Sequence, residues 1–309
     1  KTKSAKSSVT HKKKTELLAD SKSLGNLMTM MDKYKHSSNT KKSKKNLKNR
    51  GIQKSHTSEQ NSNLEWIYGI HPVMSALLNS KRNIFRIVIS NTINKNLEMD
   101  IERVCKNSKE MPSREKMNRA QISSMLPLDA VHQGLALLTK PLKSITIDDI
   151  IRKLEGVDEA TVIILDQATD PRNVGAVMRS AASFGVSAVI LQDRYAPPIS
   201  GALSKAASGA VERVSLIRVV NLARAISKLK LAGFWVAGLD IGSKKSIDKA
   251  NFSGRTLLVL GAEGAGLRRL TRDSCDEILK VSVKKEMDSL NLSNAAAIAL
   301  YEINRQRIF

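Results

Sequence analysis

Apolar residues follow two rhythms in the C-terminal part of this chain. Runs that are apolar at nearly every position (Thr161–Asp166, Val186–Leu191, Phe234–Leu239, Thr256–Leu260) alternate with stretches whose apolar positions recur every three to four residues, such as Asn173–Phe184 and Leu222–Leu231. The continuous runs predict strands buried on both faces, and the helical spacing predicts helices laid over them. Shorter segments complete the series. These are a helix over Gly201–Ser208, a strand near Arg213–Arg218, a helical turn over Leu267–Ser274, a strand over Glu277–Val283 and a closing helix over Leu292–Gln306. Such alternation implies an α/β fold with a mainly parallel sheet covered on both faces. Ligands in such sheets bind beyond the C-terminal ends of the strands, so the loops after the strands are where chemistry is expected.

Upstream the elements are shorter. Trp66–Ile70 predicts a strand, and Pro72 suits the first turn of a helix running to Leu78, where its missing N–H is harmless. Ile84–Ser90 reads as a strand, residues 95–107 as a helix and Ala120–Met125 as a short helix. Val131–Thr139, which contains His132-Gln133-Gly134, turns into an apolar strand. The expected organisation is a small α/β domain over residues 63–141, a connection over 142–159 with one helical stretch around Ile147–Leu154, and a larger α/β domain over 160–309. Residues 1–62 carry 16 Lys+Arg against 4 Asp+Glu, with runs such as Lys12-Lys13-Lys14. This composition predicts a disordered basic tail that either holds phosphate weakly or has no specific job.

Charge adds a partner to this picture. The chain has 51 Lys+Arg and 29 Asp+Glu, a formal net charge of +22. That imbalance favours a polyanion, because neutralising phosphates releases condensed counterions. Hydrophobic residues make up 41% and aromatics 4%, so the core must be aliphatic. Cys105 and Cys275 are too few and too far apart for a disulfide framework or a zinc site, and no metal is expected. No apolar run reaches the ~18 residues of a membrane span, and no membrane association is expected. The N-terminal stretch lacks the apolar core of a secretory signal, and Arg50 is its only arginine, whereas transit peptides favour Arg. The expected compartment is the cytoplasm, with the mitochondrial matrix as the alternative.

Three loops stand out. The first runs from Asp166 to Arg179, where Asp170-Pro171 suits a helix start and Gly175 permits close backbone approach. Asn173 and Arg179 are separated by about 120° around a helix of ~3.6 residues per turn, so Asn173 is expected to act from the turn. The second is Gly261-Ala262-Glu263-Gly264-Ala265-Gly266, which is neither a dinucleotide fingerprint nor a phosphate loop. Its Glu between glycines repels anions and suits a cation or a hydroxyl. The third is Asp288-Ser289-Leu290-Asn291-Leu292-Ser293-Asn294, which leads into an Ala-rich helix and offers Ser289, Asn291 and Ser293 as N-caps. Taken singly, each is also what an ordinary cap or tight turn looks like.

In this order the three loops, Asn-x-Gly-x-x-x-Arg, Gly-Ala-Glu-Gly-x-Gly and Ser-Leu-Asn-x-Ser, resemble the three motifs of the SpoU (TrmH-like) RNA 2′-O-ribose methyltransferases over residues 160–309. Tyr68-Gly69-Ile70-His71-Pro72-Val73 and His132-Gln133-Gly134 resemble the small ribosomal-protein-like substrate domain that precedes it in members methylating a guanosine of 23S-type ribosomal RNA. The resemblance implies a SPOUT-type, mainly parallel sheet with a C-terminal trefoil knot, a homodimer, and S-adenosylmethionine as methyl donor. It implies that the backbone at Gly261, Val281 and Leu290 lines the cofactor pocket. It assigns site-forming and catalytic positions to Asn173, Arg179, Glu263, Ser289 and Asn291. Lys284-Lys285-Glu286, beside the cofactor loop, and Asn294, just past the third motif's core, depart from the family's pattern. A transfer-RNA methyltransferase of the same fold and a non-catalytic RNA-binding or ribosome-assembly protein are the competing readings.

Overall fold

The computed structural model of the protein describes residues 64–106, 111–197, 201–284 and 290–308, and the basic segment 1–62 lies outside them. The N-terminal layer is a four-stranded sheet of β1 (Glu65–Tyr68), β2 (Ile84–Ser90), β3 (Ser113–Met117) and β4 (Leu135–Thr139), in the order β1-β4-β2-β3. β4 lies antiparallel to β1 and β2, while β3 runs parallel to β2 at the edge. The Ser-Arg-Glu-Lys-Met sequence of β3 has no apolar alternation, and no strand was expected there. Pairing to β2 makes it a strand, and Lys116 and Arg114 reach Glu98 (2.7 Å) and Glu102 (3.5 Å). Charged residues on such an edge also discourage pairing with other chains.

The helices here are α1 (Ile70–Leu78), α2 (Lys95–Lys106) and α3 (Arg119–Ser124). Ile70 opens α1 instead of ending a strand, because the chain turns at Gly69 and the Ile70 N–H donates to Gln133 Oε1 at 3.1 Å. Pro72 is thus the third residue of the helix, still within the turn whose N–H groups have no helical partner. α3 begins in a capping box formed by Asn118 and Gln121.

The larger layer is a six-stranded sheet, parallel throughout, in the order β10-β8-β9-β5-β6-β7. Its strands are β5 (Ala160–Leu165), β6 (Ala188–Gln192), β7 (Ser215–Val219), β8 (Trp235–Leu239), β9 (Arg255–Leu260) and β10 (Glu277–Leu279). β10 is shorter than the expected Glu277–Val283, because Lys280 leaves the ladder to bond with Lys245 and Ile247. Alternate residues of β5 feed two separate cores. Ile163 and Leu165 pack with Val177 and Met178 of α5 (Pro171–Ser183), Leu203 of α6 (Gly201–Ala207) and Leu300 of α9 (Leu292–Ile308). Val162 and Ile164 pack with Ile150 of α4 (Ile147–Lys153) and with Ile226 and Leu229 of α7 (Leu222–Leu231). Burial of every residue of β5 follows from this two-sided cover. A short α8 (Arg269–Asp273) precedes β10. No helix among the described residues is long and apolar enough to cross a membrane.

Candidate active site

The strand order makes β5 and β9 neighbours, so the first and second loops leave the sheet side by side. The Asp166 N–H donates to Leu260 O at 2.8 Å. The Asp166 side chain, fully buried, accepts from Arg268 Nε at 2.7 Å and pairs with its Nη2 at 2.7 Å. The end of loop two is thereby tied to the start of loop one.

The loops then meet at a single carboxylate oxygen. Glu263 Oε1 accepts from Asn173 Nδ2 at 3.0 Å, Asn291 Nδ2 at 2.7 Å and the Leu292 N–H at 3.1 Å. Asn291 Nδ2 also donates to Asn173 Oδ1 at 3.1 Å. A carboxylate only accepts, so both asparagines must turn their amide nitrogens toward it, which fixes their orientation. Asn291 Oδ1 then points the other way and accepts from the Ser293 N–H at 2.9 Å, capping α9. One residue from each loop thus contributes to one exposed polar cluster. Glu263 Oε2 and the second Asn173 N–H have no hydrogen-bond partner among the described residues.

Beside this cluster lies a cavity of about 230 Å³ at the C-terminal ends of β8, β9 and β10. Leu239, Leu260, Val281 and Leu290 make its walls apolar, and Asp240, Glu263 and Lys280 bring polar groups to it. A Cβ on Gly261 would fall 2.1 Å from the Gly266 carbonyl carbon. The second loop closes on itself through paired Ala262–Gly266 hydrogen bonds of 3.0 and 3.1 Å, so Gly261 is required by the loop's own return. Apolar walls with acidic groups at hand suit a ligand with a flat, uncharged body, hydroxyls and a positive charge, which is the chemistry of S-adenosylmethionine.

The expected site residues fall into three groups. Gly261, Val281 and Leu290, proposed from three separate segments, all line the one cavity. Asn173, Glu263 and Asn291 meet in the hydrogen-bonded cluster. Asn173 does so from the first turn of α5, whose N-cap is Asp170, and not from the turn before it. Arg179 is exposed on α5 and is not among the cluster's hydrogen-bond partners; its guanidinium has no hydrogen bond or ion pair among the described residues. Ser289, Lys285 and Glu286 lie outside the described residues. Asn294 is exposed on α9, which accounts for a polar residue there. Gly175 faces protein and not a ligand, since a Cβ there would lie 2.5 Å from Ala206 Cβ and 2.8 Å from Leu203 O of α6.

Sequence reasoning gave no role to Asp166, Arg268 or Asp240. Two of them had a usable signal: Asp166 and Asp240 are acidic residues at the ends of continuous apolar strands in a parallel sheet. Burial pushes the Cys275 thiol up to about 12, so it stays protonated and inert. Among the described residues no cluster of three or more His, Cys, Asp or Glu is placed to hold a metal.

Residues 160–301 match the SpoU rRNA Methylase family, and residues 66–144 match the family described as RNA 2'-O ribose methyltransferase substrate binding. The chain is 37% identical over 246 residues to the 23S rRNA (guanosine-2'-O-)-methyltransferase RlmB of Vibrio vulnificus (strain CMCP6), covering 79% of this chain and 98% of that protein. It is 36% identical over 249 residues to an uncharacterized tRNA/rRNA methyltransferase of Synechocystis sp., covering 80% of this chain and spanning 64% of that longer relative. Among solved structures, the SpoU methyltransferase AviRb from Streptomyces viridochromogenes, in complex with the cofactor AdoMet, superposes with a TM-score of 0.66 at 19% identity, over 81% of this chain and 94% of that one. That likeness establishes a shared fold, and the sequence identity to RlmB across nearly its full length establishes more. With its three loops gathered at one end of a parallel sheet, the chain belongs to the SpoU rRNA methylase family.

Proposed function

We propose that this protein transfers the methyl group of S-adenosylmethionine to a ribose 2′-oxygen of RNA, and that the acceptor is a guanosine of large-subunit ribosomal RNA. The observation that carries this reading is the convergence of Asn173, Glu263 and Asn291 beside the cavity lined by Gly261, Val281 and Leu290. The choice of ribosomal guanosine is supported by the RlmB relative, whose name states that acceptor, and by the match at residues 66–144.

The methyl donor, when bound, supplies a methyl group already activated on a sulfonium. The protein's task is then to align the acceptor and ease loss of its proton. Alignment of reacting groups accounts for about 7–11 kcal/mol of a barrier. Glu263 Oε2 and the free Asn173 N–H offer one acceptor and one donor to a ribose edge. Asn291 holds Glu263 in place and takes its own rigidity from capping α9. Arg179 carries a guanidinium, a planar cation with donors only, so it acts as a cation and not as a base. It binds the neighbouring phosphate and stabilises negative charge developing on the oxygen. Ser289 completes the third loop in this reading.

The same reading includes a trefoil knot in the C-terminal part, an RNA-binding small domain over 63–141, a catalytic domain over 160–309 and a homodimer as the active form. The test is to incubate the purified protein with ribosomal and transfer RNA and labelled S-adenosylmethionine, then map the product. A 2′-O-methylguanosine in large-subunit RNA is expected. Arg179→Ala should abolish its formation while calorimetry still shows cofactor binding. Label confined to transfer RNA, or no cofactor binding at millimolar concentration, overturns the proposal.

A further inference from the structure

Asp240 lines the cavity from the end of β8, and its side chain is only 13% exposed. Its Oδ1 accepts the Gly242 N–H at 2.9 Å and its Oδ2 accepts from Arg272 Nη1 at 2.6 Å. An ionised carboxylate has about four acceptor positions. Two are filled from within the protein, and each oxygen keeps one without a partner among the described residues. The pair with Arg272, whose own side chain is partly exposed, engages only one of the two carboxylate oxygens. A buried charge is tolerated when it is paired and hydrogen-bonded, and further donors to its unused lone pairs add to its stabilisation. The second loop runs close beside it: a Cβ on Gly266 would stand in van der Waals contact with Oδ2, at 3.4 Å.

We infer that Asp240 is a cofactor-binding residue that takes the ribose hydroxyls of the adenosyl group. The inference rests on reading the cavity as the cofactor pocket. Arg272 compensates the negative charge, so the pair draws a cation weakly while leaving lone pairs for neutral donors. Hydroxyls fit that description better than an ammonium or a sulfonium. Two carboxylate oxygens side by side match a vicinal diol, and an acidic residue on ribose hydroxyls is a recurring device of nucleotide-binding parallel sheets.

The experiment is calorimetry on the full chain with S-adenosylhomocysteine, 5′-methylthioadenosine and the 2′-deoxy and 3′-deoxy forms of the latter, for wild type and Asp240→Asn. Loss of either hydroxyl should weaken wild-type binding by roughly 10- to 100-fold, the worth of a hydrogen bond to a charged group. Asp240→Asn should weaken binding of the intact nucleoside similarly and flatten the difference between intact and deoxy forms. If the variant folds poorly, the wild-type series with deoxy ligands decides alone. Equal wild-type binding of intact and deoxy forms overturns the inference, as does a folded variant that still discriminates between them. Wild-type protein that binds none of these ligands refutes the cavity's assignment itself, a result distinct from binding without discrimination.

Discussion

The Asp166 carboxylate, with no exposed side-chain surface, is held by Arg268, whose side chain is 37% exposed, at 2.7 Å. This contact joins the ends of two loops separated by 102 residues of chain, the same two loops that supply Asn173 and Glu263. Removing Arg268 leaves a buried carboxylate without its cation. Breaking a buried pair costs about 3–5 kcal/mol, and the partial exposure of Arg268 lowers the expectation to about 2–4 kcal/mol. Arg268→Ala should therefore lose that much stability in urea denaturation. Adding Asp166→Asn should recover part of the loss, because the unpaired charge is gone. Strictly additive losses would show that the two side chains are not coupled.

A second expectation separates stability from catalysis at Asn291. Its Oδ1 caps α9 while its Nδ2 holds Glu263. Asn291→Ala removes both functions and should cost about 1 kcal/mol from the lost cap. Asn291→Ser keeps a capping oxygen and loses the donor to Glu263. Thermal melts should place the serine variant near wild type. Its methylation rate should fall roughly 100-fold, the scale of a small misplacement at a reacting centre. Unaltered turnover in Asn291→Ser would remove Asn291 from the site.

The His-Gln-Gly motif before β4 leads to a pH-dependent expectation. His132 is buried, its Nδ1 accepts the Gly134 N–H at 3.1 Å, and its Nε2 meets Ser123 Oγ at 3.1 Å. A ring accepting at Nδ1 is neutral, with its proton on Nε2. Burial, and secondarily the charge of Arg119, push its pKa below the ordinary value of 6.5. The folded state thus favours the unprotonated ring. Its contribution is fully present above pH ~6.5 and is lost as pH falls through the lower folded value, at no more than about 1.4 kcal/mol per pH unit. Urea midpoints taken from pH 7.5 down to 5 should decline in wild type. They should decline less in His132→Asn, whose Oδ1 takes the place of Nδ1 and does not titrate. Identical declines would assign the effect to other groups.

Much of this architecture is written in the pattern of residues. The runs at Thr161–Asp166 and Thr256–Leu260 are apolar throughout because both faces of β5 and β9 are covered, and that is legible without coordinates. β3 is not legible, because Ser113–Met117 becomes a strand only through its partner β2. The cluster at Glu263 was half legible: the residue types mark polar loops, but their meeting depends on the strand order that sets β5 beside β9. Local signals also carry the wrong partner at times. Gly175 signals close approach, and the approaching group is α6 instead of a ligand. Asp240 carries a local signal, an acidic residue directly after a continuous apolar strand, but its place beside the cavity comes from the pairing of β8 with β9.

The last expectation concerns the join between the two sheets. Arg82, after α1, has a side chain 2% exposed and pairs with Glu212, 5% exposed, which follows α6. Arg82 Nη2 reaches Glu212 Oε1 at 2.7 Å, Nη1 reaches Glu65 Oε1 at 2.6 Å and Lys140 O at 2.9 Å, and Asn79 Nδ2 donates to Glu212 Oε2 at 2.7 Å. Both charges are saturated with partners, the condition under which a buried pair is tolerable. Arg82→Met should cost about 3–5 kcal/mol, because it strands the Glu212 carboxylate. Arg82→Met with Glu212→Gln should recover much of that, leaving only the partly exposed Glu65 carboxylate without its cation. The functional consequence follows from the proposed division of labour. With the small domain no longer fixed to the larger one, KM for RNA should rise several-fold in the double variant, while the Kd for S-adenosylhomocysteine stays near the wild-type value. Parallel loss of both affinities would mean that the pair supports the cofactor cavity, and not the placement of the small domain.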